Sequence, residues 1–312
     1  MTSILSCGAW ASFLLFASTL FAEDISESFS KSFDSAGVTQ LVVKANRGHI
    51  AVTGNDSDAL SVTWEIDYNT AELEEVEKMR NKLSYDAKIV DNSCIVDFVY
   101  DTVSGWGWIW GDDKPLFKIE VSVPKTVDLQ LDTLGGRIQV ENIIGDCDVK
   151  TSGGRIEIED VVGDVVAKTS GGRVDLEDIE GNAIVKSSGG PIDIEDLEGE
   201  IQAKTSGGSI SIEGGKKRVI AETTGGSIRV ECPDPEVERI ELNTMGGSVR
   251  IEIDERVGGT IDLKTQGDSV SIDDHWAFSG DEKGHAKKGT IGQGNAIIIG
   301  YTLGGSVRLD TL

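Results

Sequence analysis

Asp160, Asp178 and Asp196 stand eighteen residues apart, and a glutamate precedes each of them. Carboxylates brought side by side can do two kinds of chemistry. They can share a divalent cation, Ca²⁺ above all, or they can divide the roles of acid and base at a glycosidic bond. The glycine- and aspartate-rich nonapeptide that loads Ca²⁺ into β-rolls is absent, so the same row also reads as a solvated edge. Trp106, Trp108 and Trp110 alternate within the segment 105–111, Gly-Trp-Gly-Trp-Ile-Trp-Gly. In an extended conformation all three project to one side. That makes an aromatic surface for a sugar ring or a protein partner, or else a packed contact with the rest of the chain. His49, His275 and His285 are scattered, without metal-ligand spacing. No Gly-x-Ser-x-Gly elbow or phosphate-cradling loop occurs. No catalytic residue is therefore expected.

The spacing of the aspartates belongs to a larger pattern. Gly-Gly pairs begin at Gly135, Gly153, Gly171, Gly189, Gly207 and Gly225, each 18 residues after the last. A second series, Gly145, Gly163, Gly181 and Gly199, keeps the same period. A fixed period over this many copies is the mark of a solenoid. Between the glycines, apolar and polar residues largely alternate, which is strand periodicity. Each coil therefore holds two short strands, too few residues for a helical crossover, and equivalent strands stack in parallel. The fold class expected is all-β: a parallel β-solenoid, right-handed by the usual preference for parallel connections.

Column by column, Ile138, Ile156, Val174, Ile192 and Ile210 point inward. So do Val140, Ile158, Leu176, Ile194 and Ile212, and on the other strand Cys147, Val165, Ala183 and Ile201. Thr151, Thr169, Ser187 and Thr205 form an inward hydroxyl column, expected to satisfy itself one coil to the next. Outside, Glu141, Glu159, Glu177, Glu195 and Glu213 stack on one face, with Arg137, Arg155 and Arg173 relieving part of their repulsion. Lys150, Lys168, Lys186 and Lys204 stack on the other. Charged rows of this kind keep sheets soluble.

The formal charge of −25 sets the protein against nucleic acid and anionic membrane surfaces. Residues 4–22 carry no charge and no proline, and read as a signal peptide cleaved near Ala22; an uncleaved anchor is the alternative. No membrane span is expected after cleavage. Cys94, Cys147 and Cys232 would then remain, which is no disulfide framework.

Residues 23–130 form an N-terminal β-rich capping region, and 131–312 the repeat domain. Strand alternation is readable at 40–45, 49–53, 60–66, 87–90, 94–100 and 117–123. One helix is expected near 70–83, capped by Asn69 with Glu72 completing a capping box, and lying across the end or flank of the stack.

The segments Lys168-Thr169-Ser170-Gly171-Gly172-Arg173, Val121-Ser122-Val123-Pro124, Gly289-Thr290-Ile291-Gly292 and Gly304-Gly305-Ser306-Val307-Arg308-Leu309 resemble the bacterial "putative adhesin" domains of unknown function, similar in style to auto-transporter adhesin heads. The likeness covers residues 38–312. It implies a β-solenoid and adhesion, and brings no catalytic residues. The function expected is a non-enzymatic, extracytoplasmic scaffold whose partner is a cell-envelope protein or glycan. A polysaccharide-active β-helix enzyme and a Ca²⁺-stabilised spacer stay open as alternatives, and no other cofactor is implied.

Overall fold

The computed structural model describes residues 25–57, 59–101 and 115–312. The leader at 1–22 and the tryptophans at 106, 108 and 110 lie outside them. The described residues form 27 strands and one helix, and the strands make two sheets of 13 and 14. One coil shows how the sequence does this. Ile156–Val162 lies in the first sheet and Val165–Lys168 in the second, and burial alternates along both. Ile156 pairs in register with Ile138 on one side and Val174 on the other, and Val174 with Ile192. The file of like residues expected from the repeat is therefore present. Ile156, Val174 and Ile192 are each 0% exposed, and burying each is worth roughly 1.5–3 kcal/mol. In the 18-residue coils the first sheet supplies mostly Ile and Leu to the interior, the second mostly Val and Ala.

Two kinds of corner turn the chain. Gly154 sits where an ideal Cβ would come within 1.6 Å of the Gly136 carbonyl oxygen in the coil below, so only glycine lets the backbones stack there. The second corner is a bend within the first-sheet strand, where Asp160 takes a φ of 55°. Glu159 and Asp160 are both exposed, and Val161 is then buried. The ladder pairs Glu159 with Glu177 and Val161 with Ile179, skipping Asp160. A third inward file, Ile143, Val161, Ile179 and Leu197, follows this bend.

The hydroxyl column is buried as expected, but its partners differ from the expectation. Thr169 donates to the Gly154 carbonyl of the preceding coil at 3.0 Å and accepts the Gly172 amide of its own at 3.2 Å. Thr151, Ser187, Thr205 and Thr223 do the same. The corner carbonyls and amides are nearer than the next hydroxyl, and a buried backbone group must find a partner.

Successive coils stack in chain order only in the middle. The strands Gln40–Ala45 and His49–Asn55 slot between the coil of Asp128–Thr133 and Ile138–Ile144 and that of Ser93–Tyr100 and Leu116–Pro124. At the far end Ala296–Thr302 and Val307–Thr311 enter between earlier strands in the same way. Both terminal coils are thus paired on two sides rather than left as free edges. Asp128–Thr133 spans residue 130 and pairs with Gln40–Ala45 on one side and Cys147–Thr151 on the other.

The outermost strands at the N-terminal end turn antiparallel. Ser26–Asp34 pairs with Ala59–Asp67, and Leu83–Val90 with Ser93–Tyr100. Lys31 joins the two edges by donating to the Ala87 carbonyl, and Tyr85 lies 5.2 Å from Phe29 and 5.5 Å from Trp64, ring to ring. At the other end the hairpin Ser279–Lys283 and Ala286–Ile291 adds antiparallel strands to Gly259–Thr265.

The helix is shorter than expected, Leu73–Arg80, and its N-cap is Glu72 without a side-chain cap bond. Asn69 instead takes a left-handed φ of 49° in the turn before it. Thr70 organises that turn, accepting the Glu72 amide and donating to Glu75. Val76 and Met79 are buried, but Leu73 is 73% exposed and Leu83 begins the next strand. Arg80 pairs with Glu27, which also accepts the Tyr68 hydroxyl at 2.8 Å, so the helix is tied to the edge strand.

Candidate functional site

Asp160, Asp178 and Asp196 stack in one column with Asn142, with φ of 55°, 53°, 50° and 62°. Asp and Asn are the non-glycine residues that bear this conformation best, so the column first serves the bend. Its side chains line an open groove of about 740 Å³ that runs along the stack from Lys125 to Asp234. Ile144 and Val162 are about half exposed in it. Glu180 and Glu198 take their place further along, and Glu198 binds Lys216 at 2.8 Å. Among the described residues no group of three or more His, Cys, Asp or Glu could hold a metal ion.

On the first sheet the arginines do not pair with the glutamate column that the spacing suggested. Arg155 pairs with Glu157 at 2.8 Å and Asp175 at 2.7 Å, and Arg173 with Asp193 at 2.8 Å. In a strand, residues two apart share a face, so the nearest acids are these rather than Glu159 and Glu177. Glu159 is left among carboxylates. Lost hydration, then Glu177, Asp160 and Glu141, hold its carboxyl above the ordinary value. Beyond Pro191 the arginine column gives way to serines: Ser209 accepts the Ser227 amide, and Ser227 the Ser248 amide.

On the second sheet Lys150, Lys168, Lys186 and Lys204 are in register. Asp132 precedes Lys150 in the column and Glu222 follows Lys204. Among the described residues only Lys204 of these four forms an ion pair, with Glu222 at 2.7 Å.

One column escaped the sequence reading. Asp128, Asp146, Asp164 and Asn182 each accept, at 2.9 Å, the backbone amide eighteen residues on. Its signal was present in the acid or amide that follows each of Gly145, Gly163 and Gly181. His49 is a second: its Nδ1 accepts the Arg137 amide at 2.8 Å, eighty-eight residues away. Burial, and then Arg137 and Lys118, lower its pKa.

Cys94, Cys147 and Cys232 are free and buried. Burial pushes their thiols up to about 11, 12 and 11, so they are poor nucleophiles at neutral pH. No helix of the described residues is long and apolar enough to cross a membrane.

Among solved structures, a "putative lipid binding protein" from Parabacteroides distasonis ATCC 8503 is 12% identical, over 90% of this chain and 96% of its own, with a TM-score of 0.50. A "putative adhesin" from Bacteroides fragilis NCTC 9343 is 12% identical over 92% and 97%, with a TM-score of 0.40. A "putative cell adhesion protein" from Clostridium sporogenes ATCC 15579 is 10% identical over 92% and 100%, with a TM-score of 0.27. At such identity the first shares a fold and nothing finer, and the other two add no argument. No curated protein matches the chain. A family model, Toastrack DUF4097, a domain of unknown function, matches residues 38–273. That span holds every 18-residue coil and most of the N-terminal strands, and the chain belongs to the Toastrack DUF4097 family.

Proposed function

We propose that this protein is a non-enzymatic binding scaffold of the cell envelope, exported by its leader and working outside the cytoplasm as an adhesin-like surface. One observation carries the reading: its outer columns repeat the same chemistry coil after coil. Catalysis needs unlike groups gathered at one point, a nucleophile or base with its orienting partner and a stabiliser of charge. Among the described residues the carboxylates, lysines and hydroxyls instead recur in separate files. A repeating surface suits a repeating or extended partner, which meets the same group at each step. Family membership is compatible with this reading. Trp106, Trp108 and Trp110 are proposed as a second, aromatic contact for a glycan or protein.

The test is binding of the full exported chain to immobilised envelope glycans, with reducing ends assayed in parallel. Binding without release of new reducing ends is expected, and Trp106→Ala, Trp108→Ala and Trp110→Ala together should weaken it at unchanged circular dichroism. Turnover lost in Asp178→Asn would overturn the non-enzymatic reading. Undiminished binding by the triple variant would remove the tryptophans from it.

A further inference from the structure

The two sheets treat their cations differently. On the first, Arg137, Arg155 and Arg173 are each paired with a carboxylate two residues on or one coil up. On the second, Lys150, Lys168, Lys186 and Lys204 stand in register with nothing between them. Adjacent strands are about 4.8 Å apart, so the row is a line of like charges that repel one another. The chain has 54 acidic residues against 29 Lys and Arg, so acids to neutralise the row are abundant. Within the lysines' own column they occur only at its ends, as Asp132 and Glu222. Lys150, Lys168 and Lys186 form no ion pair with any described residue, and the row is a bounded cationic strip four coils long.

The strip has a distinct flank. Two residues before each lysine on the same face stand Asp148, Val166, Ile184 and Gln202, and the column continues to Ile220. Ile184 is 39% exposed. Two residues after them, Ser152, Ser170, Ser188 and Ser206 are all exposed. Val166 and Ile184 thus flank the middle of the lysine file on one side, and exposed serines line it on the other.

From this arrangement we infer that the outer face of the second sheet binds an acidic polysaccharide, a uronate-type chain with one carboxylate per sugar, lying along the solenoid axis. The lysines take successive carboxylates, the C–H faces of the rings rest on Val166 and Ile184, and the serines meet sugar hydroxyls. The net charge of −25 opposes every long polyanion alike, so the choice rests on the flanks of the strip, whose apolar and hydroxyl side chains suit sugar rings rather than a phosphodiester. The inference rests on the non-enzymatic reading above and supplies its partner class.

The experiment uses the full chain and polygalacturonate oligomers of defined length, by calorimetry at low salt. Binding is expected to weaken at least tenfold in Lys168→Gln/Lys186→Gln, with a shallower dependence on salt. Lys78→Gln, on the helix, should bind as the parent does. The methyl-esterified oligomer, which keeps the rings and loses the charge, should bind at least tenfold more weakly. No binding by the parent, equal binding by the double variant, or equal binding of the ester would each overturn the inference. So would polyphosphate that binds as well as the uronate, because charge alone would then suffice. Oligomer length is checked after each titration. Shortened chains would sink the non-enzymatic reading, whereas intact chains without binding would sink this inference alone.

Discussion

Asp146 and Asp164 are eighteen residues apart in the chain, yet Oδ1 of Asp146 accepts the backbone amide of Asp164 at 2.9 Å. The bond ties one coil to the next at the point where the second strand begins. Asn182 makes the same bond to the Glu200 amide, so the charge is dispensable and the oxygen is not. Asp146→Asn should therefore keep stability close to the parent. Asp146→Ala should lose about 0.5–1.5 kcal/mol, read from denaturant unfolding. An alanine variant as stable as the parent would show that water replaces the bond fully.

The Gly-Gly pairs separate two demands. A Cβ at Gly153 meets nothing within 4 Å, whereas one at Gly154 would sit 1.6 Å from the Gly136 oxygen. Gly153→Ala should leave the melting temperature within a few degrees of the parent. Gly154→Ala forces two coils apart and should cost about 4 kcal/mol or more, in the range of severe backbone strain. Equal melting curves for the two variants would contradict the close approach.

Thr169 carries two bonds, one to each of two coils, and it is buried. Thr169→Val keeps the shape and leaves the Gly154 carbonyl and the Gly172 amide unpaired. A loss of about 1–3 kcal/mol is expected. Thr169→Ser restores the hydroxyl and should recover most of it, as Ser187 does in its own coil. Failure of serine to rescue would assign the loss to the methyl group.

His49 accepts the Arg137 amide through Nδ1, which only a neutral imidazole nitrogen can do. Burial, then Arg137 and Lys118, place its folded-state pKa below the ordinary 6.5. The unfolded chain therefore takes up the proton first. The stabilisation is complete above about pH 6.5 and is lost as pH falls from there through the lower folded value. The melting temperature should drop between pH 7 and about 5, above the range where most carboxylates titrate. His49→Gln should flatten that slope. An unaltered slope would place its origin elsewhere.

The aspartate column gives a test of cation binding. Asp160, Asp178 and Asp196 each hold a left-handed bend, and no described group of carboxylates converges on one point. Chelator should leave the melting temperature unchanged. Asp178→Ala should destabilise slightly with or without Ca²⁺, because alanine bears the left-handed bend less well. A fall in melting temperature in chelator, reversed by added Ca²⁺, would restore the column as an ion ladder.

What could be read from the chain alone was whatever repeats. Ile156, Val174 and Ile192 lie in one file because an 18-residue period and two-residue alternation leave no other way to bury them together. The glycine corners, the bend at Asp160 and the lysine row follow from the same arithmetic. The period could not say which neighbour a side chain prefers. Arg155 turns to Asp175 and Glu157 because the pleat sets those acids on its own face. Thr169 turns to Gly154 because the corner brings a carbonyl within reach. Nor could it place the two ends, where period and alternation weaken. Gln40–Ala45 and Ala296–Thr302 each slip one place inward because hydrogen-bonding edges are satisfied by pairing in space, and sequence order carries no record of which strand will be the last.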